Sequence, residues 1–177
     1  MKTFQDLQEG VYDPNILKAF FLAGGPGSGK SYVVKRGTGG LGLKIVNSDD
    51  VFEKYLKDAG LSMKMPKSEE EPRDKLRDRA KAVTKARMSN YVEGRLGLII
   101  DGTGKDYDKI ATQATGLKQL GYDVHMIFVN TSLETALKRN AERERTVPRS
   151  VATKSWKTVQ TNMGKFSQYF RQNFIVV

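Results

Sequence analysis

Residues 24–31 read Gly24-Gly25-Pro26-Gly27-Ser28-Gly29-Lys30-Ser31, the spacing GxxxxGK[ST]. An apolar run, Ala19-Phe20-Phe21-Leu22-Ala23, precedes them, and a helix-compatible stretch from Lys30 to Arg36 follows. A strand, a glycine-rich turn and a helix in that order distinguish a phosphate-binding loop from a chance match. Glycines let successive backbone N–H groups turn inward on one point, and the next helix adds its positive dipole end there. Gly25, Gly27, Ser28, Gly29, Lys30 and Ser31 are therefore candidate phosphate-binding residues. Lys30 suits the β- and γ-phosphates of a nucleoside triphosphate, and the Ser31 hydroxyl suits Mg²⁺. Pro26 stiffens the loop.

Working outward, a second glycine pattern does not carry the same meaning. Gly37, Gly39 and Gly42 spell GxGxxG, but they follow a helix and lead into a strand. A dinucleotide fingerprint needs the reverse order, so this stretch reads as a helix stop and a connection. Leu43-Lys44-Ile45-Val46 predicts a second strand ending in Asn47-Ser48-Asp49-Asp50. A helix follows, with Val51, Tyr55 and Leu56 at helical spacing, and Gly60 ends it. After a polar connection containing Pro66, residues 70–93 predict a long charged helix. Leu76, Ala80, Val83, Arg87 and Tyr91 lie along one side of it. Arg73, Arg77, Lys81 and Lys85 lie along another and read as a solvated face beside Asp74 and Asp78.

Leu96 to Ile100 is a continuous apolar run, typical of a buried parallel strand, and ends in Asp101-Gly102-Thr103-Gly104. A helix over 107–120 stops at Gly121, and 124–129 predicts a fourth strand. Thr131-Ser132-Leu133-Glu134 fits a capping box with Thr131 as cap, opening a helix to about Arg145. Pro148 opens another helix to about Phe170, and 174–177 predicts a short last strand. Residues 1–18 read as an amphipathic preamble broken at Asp13-Pro14. Alternating strands and helices predict an α/β fold: a P-loop NTPase three-layer sandwich. Its five-stranded sheet is mostly parallel, with helices on both faces and a helical lid, and residues 1–177 form a single domain. The ligand belongs at the strand C-terminal ends, where Gly29, Asp49 and Asp101 converge.

The chain has 177 residues, enough for one core, and no cysteine, which excludes disulfides, zinc–thiolate sites and cysteine nucleophiles. No apolar stretch reaches membrane-spanning length, and the N-terminus lacks a secretory apolar region, so a cytoplasmic location is expected. The net charge of +10 fits polyanion partners, nucleic acid first, or a site built for small phosphorylated ligands.

Several residues could carry chemistry. Asp101 closes an apolar strand, where an acidic residue can hold Mg²⁺ directly or through water, with Thr103 at the same edge. Asp49 follows the second strand and suits a carboxylate that orients and deprotonates an attacking hydroxyl; Asp50 suits a helix cap. Lys138-Arg139-Asn140-Ala141-Glu142-Arg143-Glu144-Arg145-Thr146-Val147-Pro148-Arg149 forms a basic segment. Arg139 and Arg143 are four apart, hence on one helix face, and Arg145 and Arg149 flank the next turn. Such arginines can close over a triphosphate and stabilise transition-state charge. His125 and the apolar stripe Val151, Val159, Met163, Phe166 and Phe170 read as structural.

With these motifs in place, the chain resembles the kinase domain of the polynucleotide 5′-hydroxyl kinase family and, more broadly, the zeta-toxin-like kinases, over about residues 18–170. The resemblance rests on the phosphate loop, Asn47-x-Asp49-Asp50 after the second strand, Asp101-Gly102-Thr103, Lys138-Arg139-Asn140, and Val147-Pro148. It implies Asp49 as general base, Arg143 as lid arginine, ATP and Mg²⁺ as cofactors, and Lys30 and Ser31 in their usual roles. One position departs from the pattern: the family's arginine three residues after the base is Phe52 here, followed by Glu53. The expected reaction is transfer of the γ-phosphate of ATP to a hydroxyl. The acceptor is either a nucleic acid 5′ end or a small nucleotide-type substrate. A nucleic-acid-stimulated ATPase or binding module is the alternative.

Overall fold

A computed structural model of the chain describes residues 15–37, 41–64 and 66–177. The N-terminal preamble up to Pro14 and Gly39 of the second glycine pattern lie outside the described residues. Five strands form one sheet in the order β2-β3-β1-β4-β5, and every pairing is parallel. They are β1 (Lys18–Ala23), β2 (Lys44–Val46), β3 (Leu98–Asp101), β4 (Asp123–Phe128) and β5 (Phe174–Val176). Six α-helices connect them: α1 (Lys30–Gly37), α2 (Ser48–Asp58), α3 (Glu70–Glu93), α4 (Tyr107–Gln119), α5 (Leu133–Ala141) and α6 (Arg149–Phe170).

Parallel neighbours need crossover connections, which in folded proteins are almost always right-handed. The chain moves one way across the sheet from β1 to β2 and the other way afterwards. That reversal puts α1 on the opposite face from α4 and α6. The burial agrees. Ala19, Phe21 and Ala23 of β1 share a buried cluster with Ala114 and Leu117 of α4 and with Val159, Phe166 and Phe170 of α6. Leu22 and Ile99 alternate with them and are also buried, at 1% and 2% exposure, so both faces of the central strands are covered. A second, smaller cluster lies apart: Phe52 and Leu56 of α2 pack on Ala80 of α3, with Leu76 beside them.

Register decides what meets at the strand C-terminal ends. Val46 pairs with Ile100, so Asn47 and Asp101 come next to each other. Leu22 pairs with Asp101 and Ala23 with Phe128, so the glycine loop leaves β1 at the same edge.

Three local expectations are corrected. Asn47, not Asp50, caps α2: its backbone is extended and its side chain accepts the Asp49 N–H at 2.8 Å. Asp50 therefore lies inside the first helical turn. Ser132, not Thr131, caps α5, accepting the Thr135 N–H at 3.2 Å. Thr131 is drawn elsewhere: its hydroxyl donates to the Ser28 carbonyl at 2.8 Å, and its own carbonyl accepts the Trp156 indole N–H at 2.7 Å. Finally, α5 stops at Ala141 rather than near Arg145. The buried Asn140 side chain turns to bond Val147 at both backbone groups, its Nδ2 donating to the carbonyl at 2.7 Å and its Oδ1 accepting the N–H at 3.2 Å. Residues 142–148 are thereby closed into a non-helical turn.

Candidate active site

The loop, the two neighbouring strand ends and the α5–α6 turn enclose a cleft of about 330 Å³. Gly27, Ser28, Gly29, Lys30 and Ser31 line its floor. Gly27 has φ +78°, and a Cβ there would run into the Ala136 carbonyl of α5, so only glycine fits. Gly25 lies outside the lining and backs onto Trp156, whose Cα is 3.4 Å from where a Gly25 Cβ would stand. The Ser28 carbonyl is pinned from two sides, by Thr131 at 2.8 Å and by the Arg139 Nη1 at 3.4 Å. Lys30 folds over the loop, its Nζ donating to the Gly24 carbonyl at 2.7 Å. Burial lowers its pKa from the ordinary lysine range, partly countered by Asp101, while Arg143 adds to the lowering.

Asp101 and Asp49 face this floor from β3 and α2. Asp101 accepts one hydrogen bond, from the Asn47 Nδ2 to Oδ2 at 3.1 Å; the same Nδ2 serves Asp50 Oδ1 at 3.0 Å. The other oxygen, Asp101 Oδ1, is buried and has no hydrogen-bond partner. Burial raises the Asp101 pKa above the usual carboxylate range; Lys30 opposes this, and Asp49 and Asp50 reinforce it. Burial also raises Asp50, with Glu53 and Asp49 adding to it. Asp49 goes the other way. Burial pushes it up, but the guanidiniums of Arg145 and Arg77 outweigh that and hold its carboxyl below the usual range.

The arginines divide their work. Arg139, Arg143 and Arg145 all line the cleft, whereas Arg149 does not. Arg143 lies beyond the end of α5, so the shared helix face expected for Arg139 and Arg143 is corrected to a helix end plus a turn. Arg145 is the most enclosed, with a side chain 10% exposed: its Nε bonds Glu53 Oε1 at 2.6 Å and its Nη2 meets Asp49 Oδ2 at 3.1 Å. On α3, Arg77 leaves the expected solvated face. Its Nη1 bonds Asp49 Oδ1 at 2.6 Å, and its guanidinium lies over the Phe52 ring, 4.6 Å from the centroid.

Sequence reasoning missed Arg77 and Glu53 as site-building residues, and it quoted Asn47 and Asn140 in motifs without the roles they have here. Glu53 stands four residues after Asp49, hence on the same helix face, which was a usable signal. Nothing local singles out Arg77 from the three other cations in its row. His125 meets Asp123 Oδ2 at 2.9 Å, stacks on Phe20 and does not line the cleft, consistent with a structural residue. Among the described residues no helix is long and apolar enough to cross a membrane.

A family model described as an AAA domain matches residues 20–165. No curated protein sequence matches the chain. Among solved structures, the AvrRxo1-ORF1:-ORF2 complex with ATP is similar at TM-score 0.72 and 15% identity, covering 90% of this chain and 53% of that one. A chain of the PezAT chromosomal toxin–antitoxin system of Streptococcus pneumoniae aligns at TM-score 0.66 and 18% identity, over 85% of this chain and 64% of that one. A chain of the Pnkp1/Rnl/Hen1 RNA repair complex aligns at TM-score 0.66 and 20% identity, over 85% of this chain and 46% of that one. The present chain thus spans about half the length of the first of these, and at such identities the likeness is one of fold. The family match extends over most of the 177 residues, and the chain belongs to the AAA-domain family, with the P-loop kinase-like fold of these neighbours.

Proposed function

We propose that the protein is an ATP-dependent phosphotransferase acting on a hydroxyl-bearing acceptor. The observation that carries this reading is the opposition of two halves in one cleft. One half is a phosphate loop with Lys30, Arg139 and Arg143. The other is a carboxylate, Asp49, held ionised by arginines and lining the same cleft. A hydrolase would use such a carboxylate to position water, so transfer to an added acceptor is what separates the two readings.

In phosphoryl transfer the protein positions the groups and neutralises charge. Lys30 and the backbone N–H groups of Gly27, Ser28 and Gly29 hold the β- and γ-phosphates. Arg143 and Arg139 reach the transferring group as its equatorial oxygens gain charge. Asp49 orients the acceptor hydroxyl and accepts its proton. A divalent cation fits the remaining donors. Asp101 Oδ1 is a buried acceptor without a partner, and the Ser31 hydroxyl lines the same cleft, an all-oxygen set that suits Mg²⁺. Bound there, Mg²⁺ would neutralise phosphate charge.

The acceptor is a nucleic acid 5′ hydroxyl or a small nucleotide-type molecule, and the reaction belongs to a cytoplasm, where ATP is found. The protein is to be incubated with γ-labelled ATP and, separately, 5′-hydroxyl oligonucleotides, nucleosides and nucleotide sugars. Label in one acceptor supports the transferase and identifies its class. Label only in free phosphate, with oligonucleotide binding that falls steeply with salt, supports the nucleic-acid-stimulated ATPase motivated by the +10 charge.

A further inference from the structure

Asp49 has both carboxylate oxygens engaged: Oδ1 by Arg77 at 2.6 Å and Oδ2 by Arg145 at 3.1 Å. Each carboxylate oxygen has two lone pairs, so with one arginine apiece both oxygens keep a site for a hydroxyl proton, and the side chain is 44% exposed. The two arginines set the direction of the remaining lone pairs, and they are held very differently. Arg77 projects from the 24-residue helix α3 and lies over the ring of Phe52, which is 2% exposed in the α2–α3 cluster. An aromatic face under a guanidinium restrains it and leaves its N–H edge free to bond sideways. Arg145 lies on the non-helical turn after α5, and its shorter bond is to Glu53 at 2.6 Å rather than to Asp49.

Resting on the phosphotransferase reading, we propose that Arg77 is the positioning residue of the acceptor side, holding Asp49 Oδ1 so that a remaining lone pair of the carboxylate meets the acceptor hydroxyl. Phe52 then has a purpose that its position in the chain conceals. It is the platform for a cation delivered from a different helix. Arg77 does not itself touch the reacting atoms; it fixes the carboxylate's orientation and favours its ionised form. The other charged groups around Asp49 are Asp50 and Glu53 on α2, Asp101 on β3, Lys30 on α1 and Arg145 on the turn. The carboxylates among them favour protonation and the cations oppose it.

The test uses the full chain with ATP and Mg²⁺ and the acceptor that takes label, or water if none does. Arg77→Gln is expected to lower kcat about tenfold to a hundredfold, a fraction of what a general base contributes. The KM for ATP should stay within about twofold, and the acidic limb of the kcat profile should move to higher pH. Arg77→Lys should recover part of kcat and of the shift. The double variant Arg77→Gln/Asp49→Asn should be no slower than Asp49→Asn alone, since Arg77 acts through that carboxylate. Losses that multiply in the double variant overturn the proposal. So does an unmoved acidic limb, or a folded Arg77→Gln protein with wild-type kcat. Phe52→Leu, which keeps an apolar side chain but removes the aromatic face, should reproduce a milder form of the Arg77→Gln defect; a fully active folded Phe52→Leu protein counts against the platform. If Asp49→Asn itself keeps full activity, the base reading fails and the Arg77 assignment falls with it.

Discussion

Asn140→Ala removes the side chain that bonds Val147 across the 142–148 turn. The wild-type amide makes two hydrogen bonds to Val147, at 2.7 and 3.2 Å, from a residue 4% exposed. Each is worth about 1 kcal/mol net, so the loss is about 2 kcal/mol, more if the Val147 groups find no water. In a chain of 177 residues, that corresponds to a fall in Tm of about 4–8 °C. The turn also carries Arg143 and Arg145 into the cleft. Felt fully in the transition state, the same 2 kcal/mol is roughly 30-fold in kcat/KM. Calorimetric melting and γ-phosphate transfer are the assays. Asn140→Asp provides a control: it keeps an acceptor for the Val147 N–H but sets a carboxylate oxygen against the carbonyl, so it should be no better than alanine. A Tm within 1 °C of wild type for both variants, with unchanged kcat/KM, would refute the claim that this clamp builds the turn.

Further predictions concern the loop and the buried carboxylates. Gly27→Ala places a methyl against the Ala136 carbonyl at φ +78°; strain of about 1–3 kcal/mol makes at least a tenfold loss of ATP affinity by titration calorimetry the expected result. Asp101 has its folded-state pKa raised, so at neutral pH its ionised form is a burden on the fold. Asp101→Asn should therefore raise Tm at pH 8, and the gain should shrink as pH falls through the folded pKa, where wild-type Asp101 becomes protonated. Asp49 has the opposite sign: its pKa is lowered, so its contribution is present above the ordinary carboxylate pKa and lost as pH falls through the folded value. Asp49→Asn should thus lower Tm at neutral pH and approach wild type in acid. Equal Tm differences across the pH range for either variant would contradict these assignments.

What the sequence disclosed was mostly local. The strand–loop–helix unit around Gly24 to Ser31 has a short-range physical cause at every step, and the structure keeps its boundaries at β1 and α1. Strand alternation also yielded the parallel sheet. Strand order was not legible, since it depends on which buried faces pack together, and Arg77 was hidden for the same reason. In the row Arg73, Arg77, Lys81 and Lys85, only the packing of α3 on α2 distinguishes the cation that reaches Asp49. The missed caps have another origin. Thr131 and Ser132 both suit the start of α5, and the contact with Ser28, 103 residues away, decides between them. The early end of α5 follows from Asn140, whose amide competes with the helix for Val147. The pattern Lys138-Arg139-Asn140 followed by Val147-Pro148 was visible as spacing, but its reason, a side chain bonding backbone across the turn, was not.

The central claim, that one cleft joins a phosphate-binding half to an acceptor-activating half, is tested most directly by measuring ATP affinity and γ-phosphate transfer together on wild type and Asp49→Asn. The account predicts ATP affinity within about threefold of wild type and transfer reduced by at least a hundredfold, the scale of general-base catalysis. Transfer that survives at wild-type rate in a protein lacking the Asp49 carboxylate would contradict it.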